Sequence, residues 1–167
     1  MDVHRIPAVD GRTLNSDDIA YGWKKQGRSS QAKWLASAAC YFSHIKALEA
    51  AIDNGIFPCL ILEDDAVLNE KPEPEPGMVY LGGFESPKGI YGLHAVMYET
   101  VQDAADFLLY LITHKNTADS IANQYRKENP DLVRKYSKGF IATQAVSFSD
   151  IEGAIISRSA AGSVRRL

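Results

Sequence analysis

The chain has 167 residues, of which 46% are apolar and 23% are charged. These proportions are typical of one globular domain, and they exclude a disordered, collagen-like or coiled-coil chain. Lys and Arg number 18 against 21 Asp and Glu, a net charge of −3, so the chain has no basic excess for holding a nucleic-acid backbone.

The first half of the chain predicts a strand, a long helix and a second strand. Residues 3–9 resemble a short strand that ends at the turn dipeptide Asp10-Gly11. From about residue 30, apolar residues recur at helical spacing up to Gly55, which suits a C-terminal cap. Residues 57–62 are a nearly continuous apolar run, which predicts a buried strand.

The second half alternates helices with short apolar strands. This alternation favours an α/β fold with a mainly parallel sheet, in a single domain that spans residues 1–158. In such sheets, ligands bind beyond the carboxyl ends of the strands. The predicted elements are a loop (69–77), two strands (78–81 and 90–98), a helix with Thr100 as N-cap (100–113), a polar helix (117–127), a β-type run (140–148), a short helix (149–157) and a frayed basic tail (159–167).

Cysteine content and targeting signals indicate where the protein works. Cys40 and Cys59 lie in apolar surroundings without metal-binding spacing, so we expect buried reduced thiols. Residues 1–12 contain no apolar core of a signal peptide, and no apolar run reaches the ~20 residues of a membrane helix. We therefore expect a soluble cytoplasmic protein.

Three consecutive carboxylates follow the predicted strand 57–62. Unpaired, Glu63, Asp64 and Asp65 repel one another, and a bound divalent cation removes that cost. Their hard oxygen ligands suit Mg²⁺ or Mn²⁺. Glu63 and Asp65 share a face if the strand continues, whereas Asp64 points away. The alternative is a solvated acidic loop that only keeps the strand end polar.

The surrounding motifs resemble glycosyltransferase family 25, which includes bacterial lipooligosaccharide and collagen galactosyltransferases. The family pattern runs Gly-Cys-x-x-Ser-His, a helix, then a strand closing in Glu-Asp-Asp-Ala. Residues 37–44 and 60–66 follow it, with Ala39 in place of the usual Gly. Further similar segments, in family order, are residues 5–12, 80–83 and 92–95, then Asp119, Gln144 and residues 148–151.

The resemblance implies a GT-A fold and transfer, with inversion, of glucose or galactose from a UDP-sugar in the presence of Mn²⁺ or Mg²⁺. It makes Asp65 the direct metal ligand, with Asp64 and Glu63 holding the ribose, the waters of the metal or the turn itself. His94 is a candidate third ligand, because imidazole also suits Mn²⁺; a structural histidine is the alternative.

Other side chains are candidates for the donor pocket and for proton transfer. Asp119 and Asp150 compete for the general base, with a solvated acid and a helix-terminal carboxylate as their structural alternatives. On the donor side, the structural alternatives are a core histidine for His44, an ordinary Asp-Gly turn for Asp10 and a solvated lysine for Lys46. The donor-binding candidates are Pro7, Ala8, Val9, Asp10, Arg12, Ser43, His44, Lys46, Glu63 and Asp64.

The chain also departs from the family pattern. Members are longer and begin with a further strand that helps to hold the nucleotide, so we expect that part of the pocket to be missing, rebuilt or supplied by another chain. A monomer and a homodimer both remain open, as do glycan, lipid, protein and modified nucleic-acid acceptors. One alternative function is a non-catalytic module that binds nucleotide-sugars or glycans. Another, a nucleotidyl- or phosphotransferase, lacks the expected glycine-rich phosphate loop.

Overall fold

A computed structural model describes residues 3–15, 31–145, 147–149, 154–158 and 164–166. Within these residues the chain forms three α-helices, eleven β-strands and a short 3₁₀ turn at Gly11–Thr13. The helices are α1 (Gln31–Asn54), α2 (Val101–Thr113) and α3 (Ala118–Glu128). The strands are β1 (Cys59–Leu62), β2 (Ala66–Leu68), β3 (Met78–Tyr80), β4 (Phe84–Ser86), β5 (Gly89–Tyr91), β6 (Ala95–Tyr98), β7 (Val133–Lys135), β8 (Ala142–Gln144), β9 (Ser147–Ser149), β10 (Ala154–Arg158) and β11 (Val164–Arg166).

The helix ends confirm the signals in the sequence. Gly55 follows α1 with φ +64°, a conformation that favours glycine. Thr100 caps α2 in a capping box: its hydroxyl accepts from the backbone N–H of Asp103, whose carboxylate accepts from the N–H of Thr100 at 2.9 Å. Thr117 caps α3 by accepting from the N–H of Ser120. The three predicted helices over residues 30–127 are therefore confirmed.

The main sheet confirms the α/β class, but its strands are mostly antiparallel. Their order is β1-β6-β3-β7; β6 is antiparallel to both neighbours, and only β3 and β7 are parallel. The expected mainly parallel sheet is thus wrong, because the β4–β5 hairpin reverses the chain and β6 returns between β1 and β3. The carboxyl ends of β1, β3 and β7 and the amino end of β6 nevertheless meet at one edge.

The two central strands of the sheet, β3 and β6, are buried, whereas the outer strand β1, which was predicted to be buried, is half-buried and ends at the exposed Leu62. Alternate residues of β3 point to opposite sides: Met78 and Tyr80 pack with Phe107 and other helix residues, whereas Val79 packs with Tyr136. The Tyr136 hydroxyl accepts a 2.9 Å hydrogen bond from the backbone of the loop at residues 69–77, which is irregular as predicted. Packing on the helix side and on the Tyr136 side therefore holds in place the edge of the sheet at which its strands end.

Two predictions for single strands are wrong. Residues 3–9 contain no strand; they lie against α1, where side chains rather than a sheet partner hold their backbone. The predicted strand 90–98 divides into β5 and β6, and residues 92–94 form the turn between them. Gly92 has φ +100° in that turn, which a continuous strand does not allow.

The predicted short helix (149–157) and frayed tail (159–167) are also wrong where the structure describes them. β10 pairs with both β9 and β11, antiparallel in each case. Capping-box spacing is a local signal, and here sheet pairing of the β-branched pair Ile155-Ile156 overrides it. Among the described residues, no helix is both long and apolar enough to cross a membrane.

Candidate functional site

The acidic residues after β1 lie at the sheet edge described above. The N–H of Glu63 donates to the carbonyl of His94 at 2.9 Å, which joins the end of β1 to the start of β6. The N–H of Ala145 donates to the carbonyl of Asp65 at 2.7 Å, which joins the same segment to the end of β8. The backbone of the acidic segment is therefore fixed from two sides.

Gln144 brings two of the carboxylates together. Its Nε2 lies 3.2 Å from Glu63 Oε2 and 3.3 Å from both carboxylate oxygens of Asp65. Asp64, in contrast, is exposed. Glu63 and Asp65 thus share a side and Asp64 points away, but β1 ends at Leu62 and a turn follows, so this arrangement does not come from the continued strand on which the prediction depended. We call the group formed by Glu63, Asp64, Asp65, His94, Asp119 and Gln144 the strand-end site.

His94 is the most deeply buried member, at 5% exposure; the backbone of Ala142 hydrogen-bonds with its ring, whereas no side chain in the described structure does. The ring lies between two glycines: a Cβ on Gly82 would lie 2.2 Å from Nε2, and one on Gly92 would lie 3.1 Å from Nδ1. Burial lowers the pKa of His94, although the charges of Glu63 and Asp65 oppose this. The ring is therefore neutral near pH 7, with a lone pair available to a ligand.

Asp119 lies in the first turn of α3 and supports the loop that carries His94. Its Oδ1 accepts a 3.2 Å hydrogen bond from the N–H of Gly92. Its charge also acts on the pKa of His94. The other candidate base, Asp150, lies outside the described residues. Asp119 thus makes a hydrogen bond that supports the loop at Gly92, and its charge also reaches His94.

The predicted donor-binding residues at the N-terminus form a separate region, the N-terminal turn, made of residues 7–12. Ser43 Oγ accepts from the N–H of Val9 at 2.9 Å, and Lys46 Nζ donates to the carbonyl of Pro7 at 2.8 Å. Ala8, between these two contacts, is exposed. Ser43 and Lys46 therefore hold the backbone of this turn, which the sequence did not show.

Asp10 and Arg12 of the N-terminal turn bind each other. Arg12 Nη2 lies 2.7 Å from Asp10 Oδ2, and Arg12 Nε donates to the same carboxylate. The Asp10 side chain also accepts from the N–H of Arg12 and caps the 3₁₀ turn. The hydrogen bonds from Arg12 lower the pKa of Asp10 to about 2.

His44 links α1 to the strand-end site. It is buried, at 8% exposure, and its Nε2 lies 3.2 Å from Glu63 Oε1. Burial disfavours its charge, but hydrogen bonds with Cys40 and Glu63 outweigh this and raise its pKa well above the ordinary value. The sequence analysis missed Cys40, although its spacing of four residues from His44 on a helix places both on one face.

The fold and the strand-end site together define an α/β protein with a polar, partly buried edge, the place where such folds bind substrates. Residues 1–161 match the family model described as glycosyltransferase family 25 (LPS biosynthesis protein), and the chain belongs to that family. No curated protein and no solved structure matches the chain. Membership identifies a glycosyltransferase, which moves a sugar from a donor to an acceptor.

Proposed function

We propose that this glycosyltransferase moves glucose or galactose from a UDP-sugar to a hydroxyl acceptor, with inversion and with Mn²⁺ or Mg²⁺ as cofactor. The observation that carries the proposal is the pair of carboxylates, Glu63 and Asp65, that Gln144 holds at the sheet edge beside the buried ring of His94. Neighbouring carboxylates repel each other, and a bound cation removes that cost.

In this proposal Asp65 is the metal ligand, since Mn²⁺ and Mg²⁺ prefer carboxylate oxygens, and a neutral His94 is the candidate nitrogen ligand for Mn²⁺. Asp64 points away, and in the described structure Asp64, Asp65 and His94 do not form a ready-made ligand cluster, so binding of the metal requires the acidic segment to adjust. When bound, the metal supplies positive charge where the leaving diphosphate becomes more negative. Gln144 orients Asp65, because its side-chain amide contacts the carboxylates of both Glu63 and Asp65.

Inverting transfer also needs a carboxylate to accept the proton of the attacking hydroxyl. Asp119 is the candidate within the described structure, and Asp150 is the other. A carboxylate has about four acceptor positions, so the hydrogen bond from Gly92 leaves Asp119 with acceptor capacity. In this proposal Asp119 takes the proton while the hydroxyl attacks the anomeric carbon.

The N-terminal turn and α1 form the donor side in this proposal. Ser43 and Lys46 fix the backbone of the turn, and the next residue after Ser43, His44, contacts Glu63. One helix thus connects the turn to the acidic residues. The side chain of Arg12 is 91% exposed while it pairs with Asp10, so in this proposal its guanidinium is accessible to the phosphates.

A thermal-shift titration with UDP-glucose and UDP-galactose, with Mn²⁺ or with a chelator, tests the proposal. A ligand at ~100 times its dissociation constant adds about 2.7 kcal/mol to stability, which is several degrees for this chain. We expect a shift that needs both nucleotide and metal, and slow release of UDP by hydrolysis. Asp65→Ala should abolish both signals, whereas Asp53→Ala, which removes an exposed acid at the end of α1, should keep them.

Three outcomes separate the proposal from its alternatives. A metal-dependent shift without UDP release, even with a library of acceptors, indicates a non-catalytic nucleotide-sugar-binding module. Cleavage within the diphosphate rather than at the sugar indicates a nucleotidyl- or phosphotransferase. Full activity of Asp65→Ala contradicts the proposed metal ligand.

A further inference from the structure

A second group of metal-binding side chains lies where α1 meets the end of β1. The ligand atoms of Cys40, His44 and Glu63 all lie within 4.8 Å of one another. Among the residues that the structure describes, no other three cysteine, histidine or acidic side chains come together in this way. His44 is buried, and the other two are half-buried, so this is not an exposed acidic patch.

Two rigid elements hold the three side chains. Cys40 and His44 are four residues apart in α1 and so project from one face of the helix. Glu63 is fixed through its N–H, which donates to the carbonyl of His94. The group therefore exists before any ion binds, which lowers the cost of ordering the ligands.

The distances suit a small cation with tetrahedral geometry. Zn–S and Zn–N bonds of about 2.3 and 2.0–2.1 Å place neighbouring ligand atoms roughly 3.3–3.7 Å apart. His44 Nε2 and Glu63 Oε1 are already 3.2 Å apart. Since the ligand atoms all lie within 4.8 Å of one another, the thiol needs to approach by roughly 1.5 Å at most.

We propose that Cys40, His44 and Glu63 bind a thiophilic divalent cation of the Zn²⁺ class, at a site separate from that of the donor metal. A thiolate selects such a cation over Mn²⁺ and Mg²⁺, which prefer oxygen ligands. When the cation binds, Cys40 gives its thiol proton to solvent, and His44 gives up the Nε2 proton that bonds Glu63. Three protein ligands leave the fourth position to water.

The proposed site shares Glu63 with the strand-end site. Glu63 Oε1 faces His44, whereas Oε2 accepts from Gln144. A cation bound at Oε1 therefore contacts Glu63, which shares Gln144 with Asp65, and does not need Asp65 as a ligand. This separation allows the two metal sites to be tested one at a time.

Co²⁺ is the probe for the experiment, because a cobalt–thiolate bond gives a charge-transfer band that cobalt bound to oxygen and nitrogen ligands lacks. The metal-free full chain is titrated with Co²⁺, and Zn²⁺ is then added as competitor, without nucleotide. We expect one band-forming site per chain, displaced by Zn²⁺ but not by excess Mn²⁺. Since loss of an outer contact to a metal ligand costs roughly 10–100-fold in affinity, loss of the thiolate ligand should cost at least about 100-fold.

Matched variants identify the ligands. Cys40→Ala should lose the band, and Cys59→Ala should keep it: Cys59 belongs to no such group in the described part of the chain, and burial raises its pKa to about 11. His44→Ala should weaken Co²⁺ binding, and Asp65→Ala should leave the band intact. Circular dichroism in chelator checks that each variant is folded.

Two results overturn the proposal. One is a band that persists in Cys40→Ala, which places the thiolate ligand elsewhere. The other is a folded wild-type chain that binds Co²⁺ without a thiolate band, which indicates oxygen ligands only. Because the titration contains no nucleotide, failure of the proposed glycosyl transfer does not affect either result.

Discussion

The N-terminal turn and the strand-end site were both expected to hold the sugar donor, yet the structure builds them differently. In the N-terminal turn, Asp10 pairs with Arg12 two residues away, and both side chains reach solvent. In the strand-end site, the partners come from far along the chain: Gln144 contacts Asp65 across 79 residues. There His94 is buried, and in the described structure its ring contacts the backbone of Ala142 but no side-chain hydrogen-bond partner.

This contrast distinguishes polar groups that already pair with each other, as in the N-terminal turn, from polar groups that can still bind a ligand, as in the strand-end site. The exposed ion pair in the turn contributes little to stability, as surface pairs generally do. A buried imidazole that meets one backbone group and no side-chain partner keeps a ring nitrogen for a ligand, and an incompletely paired buried group is typical of functional positions. The strand-end site is therefore the stronger candidate for chemistry, and the N-terminal turn is the stronger candidate for an accessory contact.

The largest effect is expected at Asp119. Asp119→Asn keeps an oxygen that accepts from the N–H of Gly92 but cannot take a proton. We expect sugar transfer to fall by about 10²–10⁴-fold, the usual contribution of a general base, with the melting temperature unchanged. Single-turnover kinetics with a UDP-sugar measures this, and Asp106→Asn on α2 is the control. Full turnover of Asp119→Asn would reduce Asp119 to a positioning residue and favour Asp150 as the base.

The second prediction concerns the space around His94. In Gly82→Ala the new methyl group would meet His94 Nε2 at 2.2 Å and the Cβ of Ala142 at 3.0 Å. Overpacking of this kind costs about 1–3 kcal/mol. Gly11→Ala is the control, because Gly11, like Gly82, has no positive φ, and its added Cβ would come no closer than 3.1 Å to another atom. Urea denaturation should show the greater loss in Gly82→Ala; an equal loss would mean that the ring of His94 moves aside freely.

The third prediction tests the amide between the two carboxylates. Gln144→Met keeps the size of the side chain and removes the donor to Glu63 and Asp65. We expect a loss of about 1 kcal/mol in metal-free protein at pH 7, in the lower range for hydrogen bonds to charged groups because the distances are long. Gln102→Met removes an exposed amide that donates to Asp106 at 2.7 Å and should change stability by less than about 0.5 kcal/mol. Equal losses of stability in the two variants would show that the burial of Gln144 does not strengthen its hydrogen bonds.

The sequence predicted the helix ends, because these depend on contacts between residues that are close together in the chain. Thr100, Thr117 and Gly55 fix helix ends through contacts within a few residues, and these predictions are confirmed. The direction of a strand depends on its neighbours instead. The run 90–98 gave no sign that a turn at Gly92 divides it or that β6 lies between β1 and β3.

The same distinction applies to the sites. Glu63 and Asp65 share a contact with Gln144, but they do so through a turn that the N–H of Ala66 closes on the carbonyl of Glu63, and not through the continued strand that the spacing suggested. The isolation of His94 depends on glycines from two other segments, which no spacing rule brings together. Cys40 was assigned to the core from its apolar neighbours, whereas its spacing from His44 carried the useful signal.

The smallest effect is expected in the N-terminal turn. Asp10 should titrate at about 2, below its ordinary 3.8, because the Arg12 side chain and N–H both donate to it. A lowered carboxyl pKa adds stability above the unfolded value, and that stability is lost as the pH falls from about 4 to about 2. Arg12→Gln keeps the backbone donor, so the pKa measured by NMR should rise only part of the way, whereas Arg5→Gln should leave it unchanged. Salt should also raise it, since the pair is exposed; a pKa that responds to neither Arg12→Gln nor salt would assign the shift to the backbone cap alone.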